Sequence, residues 1–303
     1  MIGIVLLNYN NWQLTVDCIK SIQNTTQCDY RIYVVDNASK VKALDSEIKY
    51  INDNKNVSLI FNSENKGYAA GNNIGMKCAI AEGCDHILIS NNDVIFSERC
   101  IDELKNYLDK NDNVALVGPK VILPSGDLQE INMGCKMTMK GKYLYLLRKT
   151  PLKFMSNSFV HKFHAKDRDI SKPFIVYGVS GCCFMISSKY INELCPFDEN
   201  TFLYEEENIL ANRVERINKH VVYDSNVSII HIGGASTKGM SEFAYMCQVE
   251  SEIYYCGKCL ESNRIALKMF ILLRSIMYIK YFGWKSFGKY KERIQKMYKK
   301  ISS

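Results

Sequence analysis

The chain has 303 residues, 47% of them hydrophobic, with a formal net charge of +7, enough apolar material for one large core or two smaller ones and unlike any disordered or fibrous protein. The charge is uneven: from Arg264 to Ser303 eleven Lys or Arg stand against one acid, Glu292, a net +10, while Cys135 to Lys172 holds ten basic and two acidic residues. Two basic zones suit an anionic membrane surface or a solvated face; no helix-turn-helix, zinc-finger or RNA-recognition pattern accompanies them, which argues against nucleic acid.

Met1 to Leu7 reads as a buried strand, and Asn8-Tyr9-Asn10 turns into Trp12–Ile22, where Leu14, Cys18 and Ile22 recur at helical spacing. Arg31–Val35 predicts a second strand ending at Asp36-Asn37-Ala38-Ser39, Val57–Phe61 a third, Ile74–Ala81 a helix, and His86 onward a fourth strand. Strands alternating with helices predict an α/β fold, a mostly parallel, Rossmann-like sheet with right-handed crossovers and flanking helices. The fourth strand says most. Its apolar run ends in Asn91-Asn92-Asp93, and open parallel sheets bind ligands beyond their carboxyl ends. One carboxylate and two amides there suit Mg²⁺ or Mn²⁺ on a diphosphate, although the same triplet is also ordinary turn chemistry.

After Val114–Val117, the stretch Lys136–Lys172 loses periodicity and becomes basic and aromatic, which predicts a surface excursion or short helices over a cleft. Strands at Phe174–Tyr177 and Cys182–Ile186 follow, then a helix from about Glu205 to Ile217, and Val221–Tyr223 and Val227–Ile230 as the last strands. Beyond Ser236 the chain is helical and increasingly basic. Ile265–Phe282 is apolar except for Lys268, Arg274, Ser275 and Lys280, so it is no membrane span, which needs about 20 predominantly apolar residues. Those three charges do not share one helical face, leaving open both contact with a membrane surface and packing on the main body. Twelve scattered cysteines, behind an N-terminus without a basic and then long apolar segment, predict reduced thiols in a cytoplasmic protein. Cys256-Gly-Lys-Cys259 lacks the second CxxC or His pair that would complete a zinc site.

Seven separated segments together resemble the family-2 inverting glycosyltransferases of the GT-A fold, particularly bacterial rhamnosyltransferase-like enzymes of surface-polysaccharide assembly. They are Val5 to Asn10, Val34 to Ser39, Asn65 to Gly75, Ser90 to Val94, Gly181 to Ile186, Phe202 to Glu207 and His231 to Ser236. The resemblance implies a GT-A nucleotide-diphospho-sugar transferase domain over residues 1–236, with a nucleotide-binding half 1–118 and an acceptor-side half 119–236, and a basic, aromatic helical extension over 237–303. It implies a thymidine- or uridine-type nucleotide-sugar donor, a divalent Mn²⁺ or Mg²⁺, and transfer with inversion to a saccharide acceptor, polyprenyl-linked at the inner face of the cell membrane. A homodimer is left open.

Carried onto this sequence, the family pattern puts Asp36 on the base or ribose, against a turn or N-cap reading of the same residue. Tyr9 would pack on the base or merely fill space. Asn8, Asn10, Asn37, Asn65, Gly67, Asn72, Asn73, Asn91 and Asn92 are expected around the donor. Asp93 is the expected metal ligand, with His231 either a second ligand or a core histidine. Glu207 is the expected base, Glu206 its fallback, and Arg213 holds the acidic pair or a phosphate. A helix N-terminus favours the charged form of such acids, so Glu207 is expected to be ionised. Two departures stand at this site: Asn91 replaces the first acid of the DxD motif, and Glu207 with Ile209 replaces the usual aspartates. They keep a noncatalytic polysaccharide-assembly subunit alive as the alternative. A sugar nucleotidyltransferase is disfavoured, because Asn8-Tyr9-Asn10-Asn11 is not a Gly-rich, basic triphosphate loop.

Overall fold

The computed structural model describes residues 1–148, 150–235 and 240–302. It opens with β1 (Ile2–Asn8), α1 (Trp12–Thr25), β2 (Tyr30–Asp36), α2 (Asp45–Asp53), β3 (Val57–Phe61), α3 (Tyr68–Ala81) and β4 (His86–Asn91). β1 pairs in parallel with β2 and β4, and β2 with β3. The central strands β1 and β4 and the middle of β2 are mostly apolar because helices cover both faces. Ile4, Leu6 and Val34 pack with Trp12, Val16 and Ile19 of α1, whereas Val5, Val35 and Ile89 pack with Ala69 and Met76 of α3.

After β4 the topology changes. The turn at Asn92-Asp93 sends the chain directly into β5 (Val94–Phe96), followed by α4 (Cys100–Lys110), β6 (Val114–Ile122), α5 (Met139–Leu147), α6 (Asn157–Phe163), β7 (Phe174–Val176), β8 (Cys183–Ile186), α7 (Ile191–Leu194), α8 (Glu206–Arg216) and β9 (His220–His231). The sheet runs β3-β2-β1-β4-β8-β6-β9-β5, with β7 also on β9. β8 enters antiparallel between β4 and β6, and β9, parallel to β6, takes β7 and β5 antiparallel. Parallel pairing thus dominates the β3–β2–β1–β4 side, and the second half is mixed.

Three local expectations change. The strands expected at Val221–Tyr223 and Val227–Ile230 are one strand: Asp224 opposes Pro119 and Ser228 opposes Lys120, so the residues between them bulge out and the polar interruption bends β9 without ending it. α3 begins at Tyr68, six residues before the expected Ile74. Its first turns look like loop sequence because small residues are needed there: a Cβ on Gly71 would lie 2.4 Å from Leu7 and one on Gly75 2.5 Å from Val5. α2, β5 and α4 are not distinguished in the sequence reading.

At the C-terminus α9 (Glu242–Tyr254) runs through a π-helical turn, Tyr255–Cys259, to α10 (Arg264–Phe282) and α11 (Phe287–Ser302). These helices share an aromatic core in which Tyr278 stacks on Tyr290 at 4.2 Å, beside Tyr245, Val249 and Ile294. Met133, Phe163, Ile209, Tyr255 and Leu267 join them to α5, α6 and α8. Among the described residues no helix is long and apolar enough to cross a membrane. Ser236, the last residue of the His231 motif, lies outside the described residues.

Candidate active site

The carboxyl ends of β1, β2 and β4 are in register: Asn8 opposes Asp36, and Leu7 opposes Asn91. The loops that leave them are knitted by amides. Buried Asn8 donates to Asp36 Oδ1 at 2.8 Å and accepts from Thr15 Oγ1 at 3.1 Å and Asn92 Nδ2 at 3.0 Å. Asn92 also donates to Asn11 O and Thr15 Oγ1. Asp36 accepts from Ser39, through its backbone N–H at 3.1 Å and its hydroxyl, which is turn-acceptor geometry. Asn10 accepts from the backbone of Lys40 and Val41, Asn37 bridges Asn65 and Gly67 O, and Asn73 holds both ends of Phe197's peptide units and Glu199.

These bonds commit side-chain atoms of Asn8, Asn10, Asn37, Asn65, Asn73 and Asn92 to the loops, and for the buried ones, Asn8, Asn37, Asn73 and Asn92, a polar group left unpaired would cost about 1–3 kcal/mol. Tyr9, in contrast, is exposed at this edge, and Asn72 donates to Tyr68 O while its Oδ1 is buried without a partner. Gly67 has φ +103°, and a Cβ there would lie 2.3 Å from Phe202 O; it lets the start of α3 touch the loop that leads into α8. Arg213 donates to the carbonyls of Leu194 at 3.3 Å and Pro196 at 2.6 Å. It caps the end of α7, and no ion pair joins it to Glu206 or Glu207.

Asp93 and His231, 138 residues apart, meet because β5 pairs with β9 in a register that sets Val94 against His231. Asp93 Oδ2 accepts from Gly233 N at 3.1 Å, and Asp93 Oδ1 lies 3.3 Å from His231 Nε2, which is itself 3.5 Å from Asn91 Nδ2. Gln129 sits 3.3 Å from the other ring nitrogen. Asp93 Oδ1 is buried and makes no hydrogen bond. An oxygen and a nitrogen about 3 Å apart are spaced as neighbouring ligands of an octahedral ion with bonds of about 2.1 Å. The pair would fit as two of the ligands of a divalent ion. Among the described residues no group of three or more His, Cys, Asp or Glu offers a self-sufficient metal cage.

The three glutamates before and in α8 have different environments. Glu205 sits just outside the helix, following Tyr204, and both have left-handed backbone, φ +69° and +76°. Its carboxylate pairs with buried Lys142 of α5 and accepts from Asn208 at 3.2 Å. Lys142 lies 3.6 Å from Glu252, which lies 2.9 Å from Arg274 Nε of α10. Burial alone would lower the Lys142 pKa, but Glu205 and Glu252 outweigh it and raise it. This ion chain over-determines a strained loop and so aims the next two residues.

Glu207 Oε1 accepts from Gly181 N at 3.1 Å, and a Cβ on Gly181 would sit 2.4 Å from that oxygen. Tyr68 donates to Gly181 O at 2.6 Å, so both backbone polar groups of Gly181 are held. Glu206 Oε1 is buried without a partner. Burial, then the Glu207 charge, pushes Glu206 up to about 8, and burial also raises Glu207. The helix terminus favours the ionised form, but desolvation is the larger effect and opposes the ionisation expected of Glu207.

The two acidic centres face the same segment. Asn91 N donates to Cys182 O at 2.8 Å, one residue from the peptide that Glu207 holds. Burial raises the Cys182 thiol to about 12, with further contributions from the charges of both Asp93 and Glu207. The structure thus brings Asn91, Asp93, His231, Glu206 and Glu207 to one edge of the sheet.

The profile of glycosyl transferase family 2 matches residues 3–195. The chain belongs to this family. It is 24% identical over 231 residues to the low-salt glycan biosynthesis hexosyltransferase Agl10 of Haloferax volcanii, covering 76% of this chain and 66% of that protein. Its fold is similar to the crystal structure of GalNAc-T7 with UDP, GalNAc and Mn²⁺: TM-score 0.60 at 14% identity, covering 96% of this chain and 58% of that one. The chain thus spans just under two thirds of the relative's length and less of the solved chain. The GT-A architecture expected from the resemblance is the architecture observed.

In this family-2 chain, sequence reasoning passed over Tyr68, Gly181, Gln129 and Lys142 as site residues. Tyr68 and Gly181 stand inside the quoted motifs and were within reach. Lys142 lies in an aperiodic basic stretch with no signal of its own. Cys256 and Cys259 are in the π-helical turn, where burial lifts their thiols to about 12 and 11, which keeps them protonated and inert.

Proposed function

We propose that the chain is a metal-dependent inverting glycosyltransferase that moves a sugar from a nucleotide-diphosphate donor to a saccharide acceptor in surface-glycan synthesis. The observation that carries this is that Asn91 N–H holds Cys182 O while Glu207 holds Gly181 N–H, so the turn that carries Asp93 beside His231 and the helix that carries Glu207 meet adjacent residues of one segment. Residues 1–118 would hold the donor, residues 119–236 the acceptor, and 237–303 the extension that supports them. Tyr9 and Asn72 have side-chain atoms available for the donor, while Asp36 would share its carboxylate between Ser39, Asn8 and the nucleoside.

Asp93 Oδ1, His231 Nε2 and the Asn91 amide would hold Mn²⁺ or Mg²⁺, which when bound neutralises charge on the departing diphosphate. Glu207 is fixed through Oε1 by Gly181 N–H, leaving Oε2 to accept the proton of the acceptor hydroxyl as that oxygen attacks the anomeric carbon opposite the leaving group. A single displacement inverts the centre. Glu206, whose Oε1 has no partner, is the fallback base. The hexosyltransferase relative supports a hexose, and the UDP of the fold relative makes uridine donors the first to try. The acceptor is read as polyprenyl-linked, and the protein as peripheral at the inner membrane face, because of the net +10 on its last forty residues.

Release of nucleoside diphosphate from uridine and thymidine diphosphate sugars, with Mn²⁺ or Mg²⁺ and with EDTA, tests the proposal. Metal-dependent release that disappears in Asp93→Ala and Glu207→Gln is expected. No release from any donor, with binding retained, would leave a noncatalytic assembly subunit.

A further inference from the structure

The sequence left α10 undecided because Lys268, Arg274 and Lys280 do not share a face, and the structure removes that objection. Arg274 points inward, where Glu252 lies 2.9 Å from its Nε and Gln248 accepts from Nη2 at 2.9 Å. Leu267, Phe270 and Tyr278 are buried beside it. The opposite side is bare: Ile265 is 70% exposed, Met269 57%, Leu272 61%, Leu273 41% and Ile276 55%. At about 100° per residue these five occupy roughly 100° of the helix circumference, a continuous stripe and not scattered single residues. Lys280 lies at its C-terminal end and Lys268 along its border, both exposed, as are Arg264 and Lys285. Trp284, 71% exposed, follows just beyond the helix end. No acidic residue occurs between Arg264 and Trp284.

We propose that the outward face of α10 is an interfacial anchor that lies in the headgroup layer of an anionic bilayer, with Ile265, Met269, Leu272, Leu273 and Ile276 entering the acyl boundary. Apolar side chains in one stripe, cationic chains able to snorkel from its edges, and a tryptophan at one end are what such a surface requires. A second copy of the chain fits less well, because two such faces would bring unpaired lysines together without an acid on either side. Helix and body remain joined through Arg274 and Tyr278, so the anchor holds the catalytic domain against the membrane by a rigid connection. The inference deepens the proposed lipid-linked acceptor by naming the surface that meets its membrane, and it rests on that reading for its purpose but not for its test.

Co-sedimentation with phosphatidylcholine vesicles containing phosphatidylglycerol, compared with phosphatidylcholine alone, reads the anchor directly. Binding to the anionic vesicles that weakens with salt is expected, with a blue shift of Trp emission; Trp12 is buried, so the shift reports Trp284. Leu272→Glu with Ile276→Glu should weaken binding about tenfold or more while donor hydrolysis in solution is unchanged. Lys268→Glu with Lys280→Glu should remove the preference for anionic lipid. Failure of the wild type to bind, equal binding of the Leu272/Ile276 variant, or a dimer in sedimentation velocity that this variant abolishes would each overturn the anchor. None of these bears on catalysis, and absence of donor hydrolysis in a protein that binds vesicles would count against the enzyme reading alone.

Discussion

The two sides of the candidate site are held together by different chemistry. On the side proposed to hold the donor, loops after β1, β2, β3 and β4 are tied by side-chain amides, with Asn8 and Asn92 at the centre. On the side proposed to face the acceptor, the loop before α8 is fixed by buried ions, Lys142, Glu205, Glu252 and Arg274. An amide network is satisfied at any pH and breaks one bond at a time. A buried ion chain fixes a strained backbone more firmly but leaves an uncompensated charge when one member is lost. The acid proposed as the base, Glu207, sits beside the second kind.

The largest expected effect is on catalysis: Glu207→Gln should lower sugar transfer by about 10²–10⁴-fold without lowering the denaturation midpoint, because a desolvated acid is replaced by a neutral isostere. A parallel loss of stability would mean that Glu207 belongs to the structural ion chain. Next, Lys142→Met should cost about 3–5 kcal/mol of stability in urea titrations, and a change below about 1 kcal/mol would make the ion chain ornamental.

The same contrast predicts a pH signature. Glu206 sits near 8 in the folded chain against an ordinary 4.5, so the folded state retains a proton that the unfolded state releases. Its stabilising contribution is complete below about 4.5 and is lost as pH rises toward 8. The urea midpoint should fall across that window, and Glu206→Gln should flatten the fall; an unchanged slope would place the titration elsewhere. The smallest effect is on the amide side. Asn92→Ala should cost about 1–3 kcal/mol with no change in this slope, and a pH-dependent cost would erase the distinction between the two sides.

Much of the fold was readable because it rests on local pattern. Val57–Phe61 and His86 onward show continuous apolar runs, and a parallel α/β sheet requires these. α3 was misread at its start because Gly71 and Gly75 are chosen for contact with Leu7 and Val5, a requirement visible only from the strand's side. The site divides in the same way. Asp93, His231, Glu206 and Glu207 stand out by residue type and motif, whereas the part Asn8 and Asn92 play in fastening the loops shows only in the structure.

The sequence by itself determined the alternation of strands and helices, the family, and which acidic residues were worth watching, since composition and periodicity are properties of neighbouring residues. Only the tertiary structure decided that Asp93 faces His231, that Glu205 is neutralised by Lys142 from an unrelated helix, and that Arg274 turns inward so that one side of α10 is left apolar and bare. These depend on strand register and helix rotation, which are set by packing between segments far apart in the chain.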